Sequence, residues 1–110
     1  MIEFEDFLKV DIRVGTITEA TWNKKARKPA YILTIDFGSE IGTKQSSAQI
    51  TEEHGLDSLM GQQVMAVVNF PSMKVAGIKS EVLVLAVVEE DGRTVLIAPM
   101  KPVYNGSRLS

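Results

Sequence analysis

Two short Val-rich runs constrain this chain more than any other feature. Gln63 to Phe70 contains Val64-Met65-Ala66-Val67-Val68, and Glu81 to Val88 contains Val82-Leu83-Val84-Leu85-Ala86-Val87-Val88. Short apolar runs rich in β-branched residues and bounded by Pro or Gly predict buried strands. Pro71 stops the first run and Gly77 shapes the connection that follows. That connection carries Asn69, Lys74, Lys79 and Ser80, with no acid before Glu81. Two rigid strands holding a cationic, hydrogen-bonding loop can present it to an anionic or extended polar ligand. An ordinary hairpin with two surface lysines is the plainer alternative.

The rest of the chain supplies partners for these strands. Phe4, Phe7 and Leu8 are spaced for one amphipathic helical turn, with Glu3, Glu5 and Asp6 near its N-terminal end, where the helix dipole favours acids. So short a helix must pack on the barrel or on a partner subunit. Lys9 to Asn23 reads as a long strand whose apolar phase slips after Gly15, which predicts a bulge there. Trp22 precedes the basic run Lys24, Lys25, Arg27 and Lys28, closed by Pro29. This run is either a solvated loop or a phosphate-contacting loop beside an aromatic.

Tyr31, Leu33, Ile35 and Phe37 alternate as one face of a second strand, followed by a turn over residues 38–42. Thr43 to Ile50 reads as a third strand of unusual polarity, better suited to a surface whose donors and acceptors are used than to a core. Thr51 is an N-cap candidate for a short helix that resumes over Leu56–Met60 and stops at Gly61. Asp91-Gly92 marks a hairpin turn before a last strand at Thr94–Ala98. Pro99 and Pro102 then break the chain.

This order predicts an all-β fold: a five-stranded OB-type barrel with a short helix between strands three and four, plus an N-terminal helical turn and a C-terminal extension. A length of 110 residues fits one domain, 1–110, with 1–9 and 99–110 as extensions. The formal net charge of −2 means that nucleic-acid binding would need its cations gathered on one face. With no cysteine there is no disulfide framework and no thiolate metal site. The lone His54 reads as surface or structural. No carboxylate pair, nucleophile–base set or metal-ligand spacing stands out, so neither an enzyme nor a cofactor is expected. The acidic start lacks a basic stretch followed by an apolar core, and no apolar run approaches the ~18 residues of a membrane helix. A cytoplasmic protein without membrane insertion is therefore the expectation.

Five segments taken in order resemble a known family. They are Val10-Asp11-Ile12-Arg13-Val14-Gly15-Thr16-Ile17, Ile35-Asp36-Phe37-Gly38, Lys44-Gln45-Ser46-Ser47, Val67-Val68-Asn69-Phe70 with Lys74 and Gly77-Ile78-Lys79-Ser80-Glu81, and Pro102-Val103-Tyr104-Asn105-Gly106. Together they resemble the tRNA-binding domain appended to methionyl-tRNA synthetases and to phenylalanyl-tRNA synthetase β chains. Lys44 to Thr51, Ala66 to Pro71 and Ala76 to Leu85 resemble the free-standing CsaA branch of that family. The resemblance implies a homodimer of OB-fold subunits whose terminal segments contribute to the interface, and tRNA binding by the domain. For the CsaA branch it implies a chaperone activity linked to protein export, with binding of unfolded polypeptides or preproteins. The chain departs from the synthetase-type pattern at Ser46-Ser47, where those domains have Ser-Gly, and at Val82-Leu83, where they have Gly-Met. Both changes add side chains where a bare backbone could approach a ligand.

Two function classes follow. In an RNA-binding module, Lys44, Lys74 and Lys79 contact phosphates, while Ser46, Ser47, Asn69 and Ser80 hydrogen-bond sugar or base edges. Lys24, Lys25, Arg27 and Lys28 would widen that footprint. In a polypeptide-binding chaperone, Phe4, Phe7, Phe70 and Met73 are candidate peptide or dimer contacts, and burial in the barrel is their plainer role.

Overall fold

A computed structural model describes residues 1–110. Helix α1 (Phe4–Leu8) leads into strand β1 (Ile12–Trp22), β2 (Tyr31–Asp36), the helical turn α2 (Gly38–Ile41), β3 (Thr43–Ala48), α3 (Leu56–Leu59) and β4 (Gln63–Val67). Short elements complete the chain: β5 (Met73–Val75), β6 (Ile78–Ser80), β7 (Leu83–Val84), β8 (Ala86–Val88) and β9 (Thr94–Leu96). No helix is long and apolar enough to cross a membrane.

β1 is long enough to serve two neighbours. Its first half pairs with β4, from Ile12 opposite Val67 to Thr16 opposite Gln63, and its second half pairs with β2 as far as Trp22 opposite Tyr31. The antiparallel order is β3-β2-β1-β4-β7. The two edges meet where the Glu81 N–H donates to the Gln45 carbonyl at 2.8 Å and the Ser47 N–H donates to Ser80 Oγ at 3.1 Å. This is the expected OB-type barrel, with α3 between the third and fourth strands.

The core follows from the alternation in β2. Leu33, Ile35 and Phe37 are fully buried and Tyr31 nearly so. Burying each such side chain contributes about 1.5–3 kcal/mol. Ile17, Leu59, Val64 and Val82 join the same cluster from β1, α3, β4 and the approach to β7. Gly15 faces them because nothing larger fits: a Cβ there would lie 2.6 Å from Ile35 Cγ2 and 2.8 Å from Phe37 Cδ1.

The phase slip in β1 therefore has a different origin from a bulge at Gly15. Val14, on the opposite face from Gly15, is buried without belonging to the core cluster. On that outer face Thr16 Oγ1 donates to Asn105 Oδ1 at 2.8 Å, so the C-terminal segment covers it. The register irregularity falls later, between Ile17 and Glu19. Residues 106–109 are also less separate from the barrel than expected. Gly106 N–H donates to the Val14 carbonyl, Val14 N–H to the Ser107 carbonyl and Leu109 N–H to the Ile12 carbonyl. The tail thus extends the sheet along the part of β1 that lies past the end of β2.

Other boundaries shift. β3 stops at Ala48 and β4 at Val67, and Thr51 caps no helix: residues 51–53 are a turn, and α3 begins after Gly55. The expected fifth strand splits into β7 and β8 at Leu85, whose N–H donates to Met65 and whose carbonyl accepts from Ile97. β8 then leaves the barrel sheet to pair with β9. His54 holds this hairpin in place: its Nε2 accepts from the Leu96 N–H at 3.2 Å and its carbonyl from the Tyr31 hydroxyl at 2.8 Å.

Candidate ligand-binding surface

The connection between the Val-rich runs folds as a hairpin of β5 and β6. Its two-residue turn is Ala76-Gly77, at φ 46° and 84°. Positive φ at both positions matches the right-handed twist of the flanking strands. Gly77 takes it freely, whereas the left-handed conformation costs Ala76 roughly 1–2 kcal/mol. The register sets Met73 opposite Ser80, Lys74 opposite Lys79 and Val75 opposite Ile78. Alternation then puts both lysines on one face and Met73, Val75, Ile78 and Ser80 on the other.

The basic run reaches the same hairpin. Asn23 shapes its loop: the Asn23 N–H donates to the Ala30 carbonyl at 2.9 Å, and Asn23 Oδ1 accepts from the Lys25 N–H at 3.1 Å. Lys25 lies against the hairpin turn, so closely that a Cβ on Gly77 would sit 2.7 Å from Lys25 Cδ and 3.3 Å from its Nζ. Lys24, Arg27 and Lys28 are exposed on this loop. Trp22, half-exposed at the loop's start, packs edge-on against Tyr31 with ring centroids 4.9 Å apart. The basic run thus brings Lys25 to the turn that joins the strands carrying Lys74 and Lys79.

The other face of the hairpin roofs a groove of about 470 Å³, lined by Ser47, Phe70, Pro71, Met73, Val75, Ser80, Glu81, Val82 and Leu83. Phe70, Met73 and Leu83 are more than half exposed. Glu81 is the one charged residue in the lining, and it is engaged: its carboxylate accepts from the Gln45 N–H at 3.2 Å and lies 3.8 Å from Lys44 Nζ. Four expected site residues come together here: Phe70 and Met73, expected as peptide or dimer contacts, and Ser47 and Ser80, expected as RNA contacts. Val75 and Leu83 line the groove without having been expected to.

The expected RNA-contacting residues do not form one surface: Ser47 and Ser80 line the groove, while the Lys74–Lys79 pair lies on the opposite face of the hairpin. Lys74 and Lys79 are exposed. Lys44 shares a face with Ser46 and Ala48 and reaches Glu81 at the barrel seam. Ser46 is turned inward and nearly fully buried, with its hydroxyl donating to the Ser47 carbonyl, so it is not the surface contact that its polarity suggests. Its burial against Leu33 overrides the polar character of β3. Asn69 serves the framework, since its Oδ1 accepts from the Asp11 N–H at 3.0 Å and its Nδ2 donates to the Lys9 carbonyl at 2.8 Å. Ser80 Oγ and the Ser47 N–H are joined to each other.

Arg13 ties the strand to the tail. It donates to Asp11 at 2.6 Å and to the Gly106 carbonyl at 2.9 Å, and the bond to Asp11 holds its guanidinium above its ordinary pKa. Phe4 and Phe7 lie on α1 with ring centroids 6.3 Å apart, Phe4 two-thirds exposed, well away in sequence from the groove. No group of three or more His, Cys, Asp or Glu side chains is placed to hold a metal ion.

The chain is 55% identical to the chaperone CsaA of Bacillus anthracis, covering 100% of this chain and 99% of that one at a TM-score of 0.94. It is 46% identical to the CsaA chaperone protein of Picrophilus torridus, with full coverage of both chains and a TM-score of 0.92. Among curated proteins, the methionine–tRNA ligase of Methanococcoides burtonii is 37% identical over 107 residues, 97% of this chain. The chain spans only 15% of that ligase's length. The family described as "Putative tRNA binding domain" matches residues 12–108, and the chain belongs to it.

Proposed function

We propose that this is a non-catalytic binding protein of the CsaA type, a chaperone for unfolded polypeptides built on a tRNA-binding scaffold. The observation that carries the chaperone reading is the apolar groove under the β5–β6 hairpin, with Phe70, Met73 and Leu83 open to solvent around it. Exposed apolar side chains gathered around one cavity mark a binding surface more than scattered ones do. Methionine adapts to varied apolar partners because its side chain is flexible and polarizable. The solved CsaA chaperones, similar over the whole chain, support the same reading. A cytoplasmic role in handling preproteins for export is part of the same proposal.

A tRNA-binding function is favoured by a second observation, the meeting of Lys25 with the turn that separates Lys74 from Lys79. Clustering lets a protein of net charge −2 hold a polyanion locally. The exposed apolar residues of the two extensions, among them Ile2, Phe4, Tyr104 and Leu109, support a homodimer. Sedimentation showing only a 12.1 kDa species at working concentration would remove the dimer.

Anisotropy titrations of labelled tRNA and of a labelled unfolded polypeptide, each at low and moderate salt, test the whole proposal. Polypeptide binding is expected to be nearly independent of salt. Binding of tRNA is expected to weaken steeply, with a log–log slope of about 0.7–0.9 per phosphate neutralised. Absence of polypeptide binding would refute the chaperone function, and absence of tRNA binding at low salt would refute the RNA function.

A further inference from the structure

We infer that the β5–β6 hairpin divides two binding faces, so that an apolar polypeptide segment in the groove leaves the lysine face free to hold a polyanion at the same time. This rests on the function proposed above and specifies how its two ligands relate.

The hairpin's phase carries the inference. Lys74 and Lys79 form one cross-strand pair, and the residues that alternate with them, Met73, Val75 and Ser80, line the groove. In a pleated ladder neighbouring residues point to opposite faces, so the lysines are directed away from the groove. The groove itself suits an uncharged apolar occupant. Its lining contains no cation, and its single charge is the carboxylate of Glu81, already satisfied by Gln45 and Lys44. A phosphate entering there would lose its hydration beside a like charge, which is costly without a paired cation. On the lysine face it would keep most of its water and meet Lys74 and Lys79, with Lys25 at the tip.

The experiment uses the full-length protein and a fluorescein-labelled, uncharged peptide rich in Leu and Phe. The peptide is brought to saturation, and unlabelled tRNA is then added at low salt. A further rise in anisotropy is expected, as a ternary complex forms. The double variant Met73→Ser with Leu83→Ser should weaken the peptide about tenfold or more and leave tRNA affinity nearly unchanged. The double variant Lys74→Ala with Lys79→Ala should do the reverse. All four side chains are exposed, so neither variant threatens the core.

Displacement of the peptide by tRNA would overturn the inference while leaving both binding activities in place. So would parallel losses for both ligands in either variant. If neither ligand binds the unmodified protein, the proposed function fails and the inference fails with it.

Discussion

Lys74 and Lys79 stand directly opposite one another across the β5–β6 ladder, with no acid interposed. Like charges in facing positions destabilise a strand pair, by roughly 0.2–1 kcal/mol. A fold selected for stability alone would not place them so, which is why the pair reads as a feature retained for a ligand. The Lys79→Thr variant should therefore gain stability of that order in chemical denaturation. Its tRNA binding should weaken, and its salt dependence should become shallower by about 0.7–0.9 for each phosphate no longer neutralised. Unchanged stability together with an unchanged salt slope would show the lysines to be solvated bystanders.

Gly15 is predicted to tolerate no side chain. A methyl group there would press on Ile35 and Phe37, both fully buried in the centre of the core. Neither neighbour is the loose end of a flexible chain, so relief requires the strands to separate or the phenyl ring to move. Overpacking of this kind costs about 1–3 kcal/mol. Gly15→Ala should lower the denaturation midpoint accordingly, and Gly42→Ala, with nothing within 4 Å of the added Cβ, separates this packing cost from backbone strain, since Gly42 sits at φ 86°.

Sequence pattern reveals the barrel because alternation and turn chemistry are local. Tyr31, Leu33, Ile35 and Phe37 could face only one core, and Asp91-Gly92 could only turn a hairpin. What pattern does not show is long-range. Ser46 looks like a surface hydroxyl until its register against Leu33 turns it inward. Val14 looks out of phase until the tail around Asn105 covers its face of β1. The site is legible as an inventory of lysines, hydroxyls and apolar side chains. Its division into two faces depends on the hairpin register, which the two-residue Ala76-Gly77 turn fixes. Composition cannot supply that register, because three-residue strands are too short to show alternation.

Asn69 joins the end of β4 to the segment before β1, and its removal should loosen the N-terminal helix more than any ligand contact. Asn69→Ala leaves the Asp11 N–H and the Lys9 carbonyl without their partner. A lost hydrogen bond at a solvent-accessible site costs about 0.5–1.5 kcal/mol. Asn69→Asp keeps the acceptor for Asp11 and loses the donor to Lys9, so it should fall between wild type and alanine. Amide exchange at Asp11 and the stability series together report this order. A selective loss of tRNA affinity in both variants, with exchange at Asp11 unchanged, would instead return Asn69 to the ligand surface.

Asp6 gives the N-terminal helix its pH dependence. Its carboxylate accepts from the Glu3 N–H at 3.0 Å and, second in effect, from Lys9 Nζ at 3.2 Å. Both bonds favour the charged form and hold its pKa below the ordinary 3.8. A lowered folded-state value means that the contribution is present above the unfolded value and is lost as pH falls through the folded one. The α1 turn should therefore be intact at neutral pH and fray only in acid below the ordinary carboxylate range. Because Asp6 is solvated, the change should be confined to α1: the Glu3 amide resonance should move with pH while the core amides of β2 stay fixed. Asp6→Ala should fray the same turn at pH 7. If α1 carries part of a dimer contact through Phe4 and Phe7, that variant should also shift sedimentation toward the 12.1 kDa species at neutral pH. Fraying without dissociation would confine the dimer contact to other segments, and neither effect would show that Asp6 does not hold the turn.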